Sequence, residues 1–456
     1  MRPSSPTVLV RFLLAVAMLV VAAVVAGFFT ARGGPVPSAA NARGYVAEDR
    51  PPVRVTPTTP TPEPTTSSRA GAPRPTRVEQ AEELLTRQAA AVTSETKAAY
   101  LATIDPEGAA FAQTAERTYD NLAKLDVAAY TFGQLQEDVG ALAHARRKQL
   151  GDTAWVADVE VEVTFKGSDP EPWRYEQRLV FVERDGVLYL AGDREGEETK
   201  RSKPIWLEAE INVLRGKRSL VFGTGSKSRL RPYVTAADRA VPRVTNVWGE
   251  FWAQYVVVVV PKNQGQMERT VGTDAGSQSA VAAVTTSVGR SHPELASHIV
   301  VNPSTFDNVG DLGRLVVLTH EITHVATHAT VTGMPIWLSE GFADYVGFRD
   351  AGLSTAVVAQ EVLRDVRENG APKALPSTED FDPSSDGLDE AYEAAWLACK
   401  YLAAHWNEQK LVAFYRAMND ASSEAARTAA YRTVLDTTPA AFLKGWRAYV
   451  EEKAGN

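Results

Sequence analysis

The pattern of apolar and polar positions changes character several times along the chain, and each change marks an element or a boundary. From Phe12 to Ala31 the stretch FLLAVAMLVVAAVVAGFFTA carries no charge. About 20 such residues make a helix long enough to cross the hydrocarbon layer of a bilayer, so this segment is expected to span a membrane. Residues 33–77 then lose all periodicity: ten of the 26 prolines fall here, with Tyr45 as the single aromatic residue. Such a stretch cannot bury enough apolar surface to offset its own ordering, and its prolines favour extended geometry, so it reads as a stalk. Helical spacing resumes at Val78, in VEQAEELLTRQAAAVTSETKAAYLATI and again in FAQTAERTYDNLAKL. Alternation with a period of two follows over 154–165, and residues 175–193 read as a hairpin turning at Asp185-Gly186. Helices first and an antiparallel sheet second predict an α+β domain over 78–200.

After Lys203-Pro204 a second folded unit, 201–456, is expected. EINVLRG and RSLVFG read as strands, residues around 227–240 as a helix, and QYVVVVVP (254–261) as a strand buried on both faces. SAVAAVTTSVG (279–289) and SHIVVNP (297–303) add two more strands, and helical patterns dominate beyond Leu312. The fold class is therefore α+β: anchor, stalk, a small α+β domain, then a mixed sheet followed by a helical half.

Composition narrows the function. A formal charge of −8 and a pI near 5.6 offer no basic footprint for nucleic acid. One cysteine, Cys399, excludes an intrachain disulfide and a cysteine zinc cage. Arg2 and Arg11 precede the apolar span and Arg32 follows it, a bias that places the N-terminus inside and the bulk of the chain outside, in a single-pass cell-membrane arrangement. SAANA (38–42) keeps a cleaved secretory signal open as the alternative, and both readings export the remainder.

Three of the seven histidines fall in LTHEITHVATH (318–328). The surrounding segment lacks proline and has Asp311 available as an N-cap, so it is expected to be a helix. His320 and His324 then lie one turn apart on one face, with Glu321 beside them. H-E-x-x-H supplies two neutral nitrogen ligands and a carboxylate able to accept a proton. A catalytic zinc needs a third protein ligand. His328 is excluded by geometry, because it lies about 12 Å along the axis from His320. A better source is GMPIWLSEGFADYVGF (333–348): Gly333 ends the first helix, Pro335 suits the first turn of another, and Glu340 and Asp344 share a face at i, i+4 spacing. His144, in ALAHARRKQL, reads as part of a solvated helix face.

With HEITH followed by WLSEGFADY, the sequence resembles the gluzincins, zinc peptidases that include thermolysin and the aminopeptidase-like families. The resemblance implies one zinc ion held by His320, His324 and Glu340, Glu321 as general base toward water, and Asp344 fixing the far nitrogen of a ligand histidine. It also implies a tyrosine that stabilises the oxyanion. Tyr392 stands at the matching place, although Ala394-Ala395 replace the Lys-Gly of the family's Y-x-K-G, and Tyr401 and His405 are alternatives. Residues 280–288 correspond to the edge strand that pairs with substrate backbone. The family's G-A-M-E-N glutamate, which grips a free amino terminus, is missing, so an endopeptidase acting on peptides or proteins is expected. Residues 78–200 resemble, by element order alone, the cone-shaped domains of the nuclear-transport-factor-like class. The reading from another class is a surface sensor or binding protein that holds zinc without turnover.

Overall fold

The computed structural model describes residues 75–455 apart from 139, 141, 168–171, 194–201, 275–282, 288–296, 330–332, 383 and 384. The expected span at 12–31 and nearly all of the stalk lie outside the described residues. Among the described residues no helix is long and apolar enough to cross a membrane.

Thr76 starts the first helix, α1 (Arg77–Thr93): its side chain accepts from the Glu79 amide while the Glu79 carboxylate accepts from the Thr76 amide, a reciprocal capping box. Next come α2 (Lys97–Leu101) and α3 (Ala109–Leu125), then β1 (Val127–Phe132) and β2 (Gln136–Glu137), which the sequence pattern did not reveal. The short α4 (His144–Leu150), with His144 exposed at its start, leads to β3 (Trp155–Phe165), β4 (Trp173–Arg184) and β5 (Val187–Gly192). The sheet runs β1-β3-β4-β5, antiparallel throughout, with β2 paired to β3. The β4–β5 hairpin turns at Asp185-Gly186, both at positive φ (50° and 77°), as a two-residue turn with right-handed strand twist requires. Along β3 the odd-numbered residues from Trp155 to Phe165 all face the core under α1 and α3.

The second sheet follows α5 (Ile205–Glu208) and comprises β6 (Asn212–Arg215), β7 (Ser219–Gly223), β8 (Val256–Val260), β9 (Ala283–Ser287) and β10 (Ser297–Val301). Helices α6 (Lys227–Trp248) and α7 (Gln264–Val271) are inserted on either side of β8. The spatial order is β6-β7-β8-β10-β9; β7, β8 and β10 are parallel, while β6 and β9 run antiparallel at the edges. Beyond β10 the chain is helical: α8 (Pro303–Phe306), α9 (Asp311–Thr327), α10 (Ile336–Arg349), α11 (Thr355–Val358), α12 (Gln360–Asn369), α13 (Leu388–His405), α14 (Glu408–Asn419), α15 (Glu424–Leu435) and α16 (Pro439–Gly455). The architecture is thus mixed, sheet and helix in each half.

The five valines of β8 explain how the halves join. Val256, Val258 and Val260 face the helical side with Ile299 and Val301, where α6 and α9 cover them. Val257 and Val259 face the other way with Phe222 and Val300, into the layer that also holds Phe165, Trp173 and Trp206. The strand is buried on both faces because the N-terminal α+β unit supplies the second cover. One apolar layer is therefore continuous across the expected boundary near residue 200.

Candidate metal centre

Two helices carry the site, and their ends differ in detail from the sequence expectation. The N-cap of α9 is Gly310, not Asp311; Asp311 is the first helical residue and pairs with Arg314 at 3.1 Å. The helix stops at His328, which adopts the left-handed conformation (φ 54°) and lies exposed, so Gly333 is not what ends it. Pro335 is the cap residue of α10 rather than a member of its first turn. None of these shifts moves the faces that matter.

On those faces the structure brings His320, His324 and Glu340 together. His320 Nε2 and His324 Nε2 are 3.0 Å apart, and Glu340 Oε2 lies 3.3 Å from the first and 3.4 Å from the second. Three ligands on a tetrahedral ion at metal distances of about 2.0–2.1 Å are separated by about 3.3 Å, so the triangle has the size of one face of a zinc tetrahedron. Among the described residues, Glu340 Oε2 makes no hydrogen bond of ordinary geometry although it is enclosed, and neither does Glu321 Oε1. Buried oxygens left so cost free energy unless a cation or a polar ligand meets them. The donor set of two imidazoles and a carboxylate therefore fits a divalent ion such as zinc.

The surroundings favour positive charge at this point. Glu321, Glu340 and Asp344 are all at most 1% exposed, so three carboxyl groups share an enclosed volume with two imidazoles. Burial opposes ionisation of Glu340, but the imidazoles of His324 and His320 outweigh it and bring its pKa to about 2. Burial likewise opposes a charge on His320, yet Asp344 and Glu340 outweigh it and hold the imidazole well above its ordinary value. Glu321 is pushed up, chiefly by burial.

Asp344 Oδ1 is 2.7 Å from His320 Nδ1. In the neutral imidazole that a bound cation would select, the Nδ1 proton goes to that carboxylate and the Nε2 lone pair of His320 points into the triangle, the tautomer a metal ligand needs. Glu321 sits on the same helix one residue on, close enough for both imidazoles and Glu340 to act on it electrostatically. Its Oε2 accepts a 2.6 Å hydrogen bond from the Thr285 hydroxyl of β9.

Two supporting contacts escaped the sequence reading. Thr285 is one. Tyr415 of α14 is the other: its fully buried hydroxyl donates to Thr327 Oγ1 at 3.1 Å, tying α14 to the last residue of α9. Only the bare types Thr and Tyr are visible locally, and their partners lie 36 and 88 residues away. Gly341 also has a structural task. A Cβ there would meet the Ala395 carbonyl oxygen at 2.3 Å, so α10 crosses α13 at a separation that only glycine permits.

The tyrosine and histidine candidates for the oxyanion donor are placed on the helix that crosses α10 at Gly341. Tyr392, in the first turns of α13, is 1% exposed and packs edge-on against Phe381 at 4.9 Å. Tyr401 is buried among Trp406, Phe442 and Tyr449, and His405 is exposed beside it.

No protein-family model and no curated protein matches the chain. Among solved structures it is similar to an M1 zinc metallopeptidase from Deinococcus radiodurans, at 16% identity over 66% of this chain and 61% of that one, with a TM-score of 0.33. A mutant of an M1 zinc metallopeptidase from the same organism, bound to a Tyr-Ser-Ala substrate, gives 15% identity over 59% and 58% at the same TM-score of 0.33. The chain thus spans about three fifths of the length of each.

Proposed function

We propose that this protein is a zinc-dependent peptidase of the gluzincin type, held at the cell membrane by residues 12–31 with its catalytic unit outside the cytoplasm. One observation supports the reading above the others: two imidazole nitrogens and one carboxylate oxygen, from successive helices, form a triangle of 3.0, 3.3 and 3.4 Å sides. His320, His324 and Glu340 hold the ion, and Asp344 fixes His320. Zinc bound there supplies a Lewis acid that polarises a carbonyl and acidifies water. Glu321 is the general base: Thr285 occupies its Oε2, which leaves Oε1 to take a proton. Tyr392 is assigned as the hydrogen-bond donor to the developing oxyanion. β9, an edge strand paired with β10, offers main-chain groups to an extended substrate, and the missing G-A-M-E-N glutamate favours cleavage inside a polypeptide.

A second reading draws on the closure of the site. His320 and Glu321 are 0% exposed and Glu340 is 1% exposed, which suits a protein that keeps zinc without turning over substrate. A retained base favours the enzyme, since a purely structural site has no use for one. The full-length chain and its Glu321→Gln variant, both loaded with zinc, decide between them on a broad peptide library. Turnover by the parent alone, at equal zinc content, supports the peptidase. Equal cutting by both overturns the role of Glu321, and no cutting by either favours the binding protein.

A further inference from the structure

Thr285 lies at the centre of the edge strand β9, opposite Ile299 of β10, and is 3% exposed. Its side chain points to the same sheet face as Ala283, the face covered by α9. The hydroxyl oxygen is 2.6 Å from Glu321 Oε2 and 3.2 Å from the Glu321 carbonyl oxygen. A hydroxyl has one proton, and 2.6 Å is the length of a charge-assisted bond, so against a carboxylate the proton goes to Oε2. The β-branched side chain has few rotamers in a strand, which makes the donor a fixed point. Glu321 Oε1 has no hydrogen-bond partner among the described residues. Anchoring one oxygen thus settles the direction of the other.

We propose that Thr285 is a positioning residue that aims the Glu321 carboxylate, and that through it the strand presented to substrate also sets the orientation of the base. The inference rests on the peptidase reading above. Without the hydroxyl both Glu321 oxygens are enclosed and unpartnered, and the carboxylate turns toward the imidazoles. Thr285→Val keeps the shape and removes the donor, whereas Thr285→Ser keeps the donor.

The test uses the full-length chain, its two Thr285 variants and Glu321→Gln. Three quantities are measured: zinc affinity by chelator competition, affinity for a peptide hydroxamate by calorimetry, and kcat and KM on a fluorogenic peptide. Thr285→Val is expected to hold zinc within about twofold of the parent, to bind the hydroxamate roughly tenfold more weakly and to lose roughly tenfold in kcat with KM little changed. Thr285→Ser is expected to restore both within about threefold. Unchanged hydroxamate affinity in Thr285→Val overturns the proposal, as does loss of zinc in step with activity or failure of serine to rescue. If the parent binds zinc and hydroxamate but cuts nothing, the peptidase reading fails, while a weakened hydroxamate in Thr285→Val still supports the positioning role. A parent that binds zinc but no hydroxamate overturns both.

Discussion

Gly341→Ala adds one methyl group at the tightest crossing beside the site. The new Cβ would lie 2.3 Å from the Ala395 carbonyl oxygen and 2.6 Å from its carbonyl carbon, both backbone atoms of α13 that cannot rotate aside. Ordinary contact begins near 3.4 Å, so α10 must withdraw by about 1 Å. Overpacking of this kind costs about 1–3 kcal/mol, or about 2–10 °C in melting temperature for a unit of this size. The second consequence is local. Glu340 is the adjacent residue, and its Oε2 must stay within about 0.2 Å of its place to complete the coordination. The variant is therefore expected to bind zinc at least tenfold more weakly by chelator competition, beyond its loss of stability. Gly333→Ala is the control, because its Cβ meets nothing within 4 Å. Parental zinc affinity and melting temperature in Gly341→Ala would refute the close-crossing argument.

Three further outcomes follow from other contacts. Asp344→Asn exchanges the 2.7 Å carboxylate partner of His320 Nδ1 for a neutral amide, and zinc affinity should fall about 10- to 100-fold while the fold persists; an unchanged affinity would show that the contact does not orient the ligand. Trp206→Ala empties a fully buried site between Trp173 and Phe222, costing about 3–5 kcal/mol, and calorimetry should show one cooperative transition shifted as a whole; two transitions, one unmoved, would contradict the shared core. Glu393 caps α12 by accepting from the Val362 amide at 2.7 Å, and burial lifts its pKa from 4.5 to about 9. Between those values the folded chain keeps a proton that the unfolded chain has lost, so this group lowers stability as pH rises through the window, by at most about 1.4 kcal/mol per unit. Glu393→Gln should stabilise the protein increasingly from pH 5 to pH 9, and a flat difference in melting temperature over that range would contradict the burial argument.

The sequence shows the parts of the site that sit at helical spacing and hides those that depend on packing. His320, Glu321 and His324 are read from one turn of helix, and Glu340 and Asp344 from the next, because i, i+4 geometry is local. Thr285 looks like any strand threonine until β9 is set against α9. Tyr415 likewise acquires its role only when α14 closes over Thr327. β1 was invisible for another reason: a register shift between Val127 and Ala129 breaks the alternation on which strand recognition relies. β8 was legible as a strand buried on both faces, yet nothing in five valines names what covers each face. The α9 boundary moved by one residue because Gly310 takes the extended cap conformation next to an equally plausible Asp311.

His320, His324 and Glu340 are proposed to meet on one ion. X-ray absorption at the zinc edge, on the purified full-length chain with its metal content quantified, reads the number and type of these donors. The expected result is one equivalent of zinc with nitrogen and oxygen neighbours at about 2.0–2.1 Å, two of them imidazoles, and loss of that equivalent in His324→Ala. Substoichiometric zinc in the parent chain, or a first shell with a single imidazole, would contradict it.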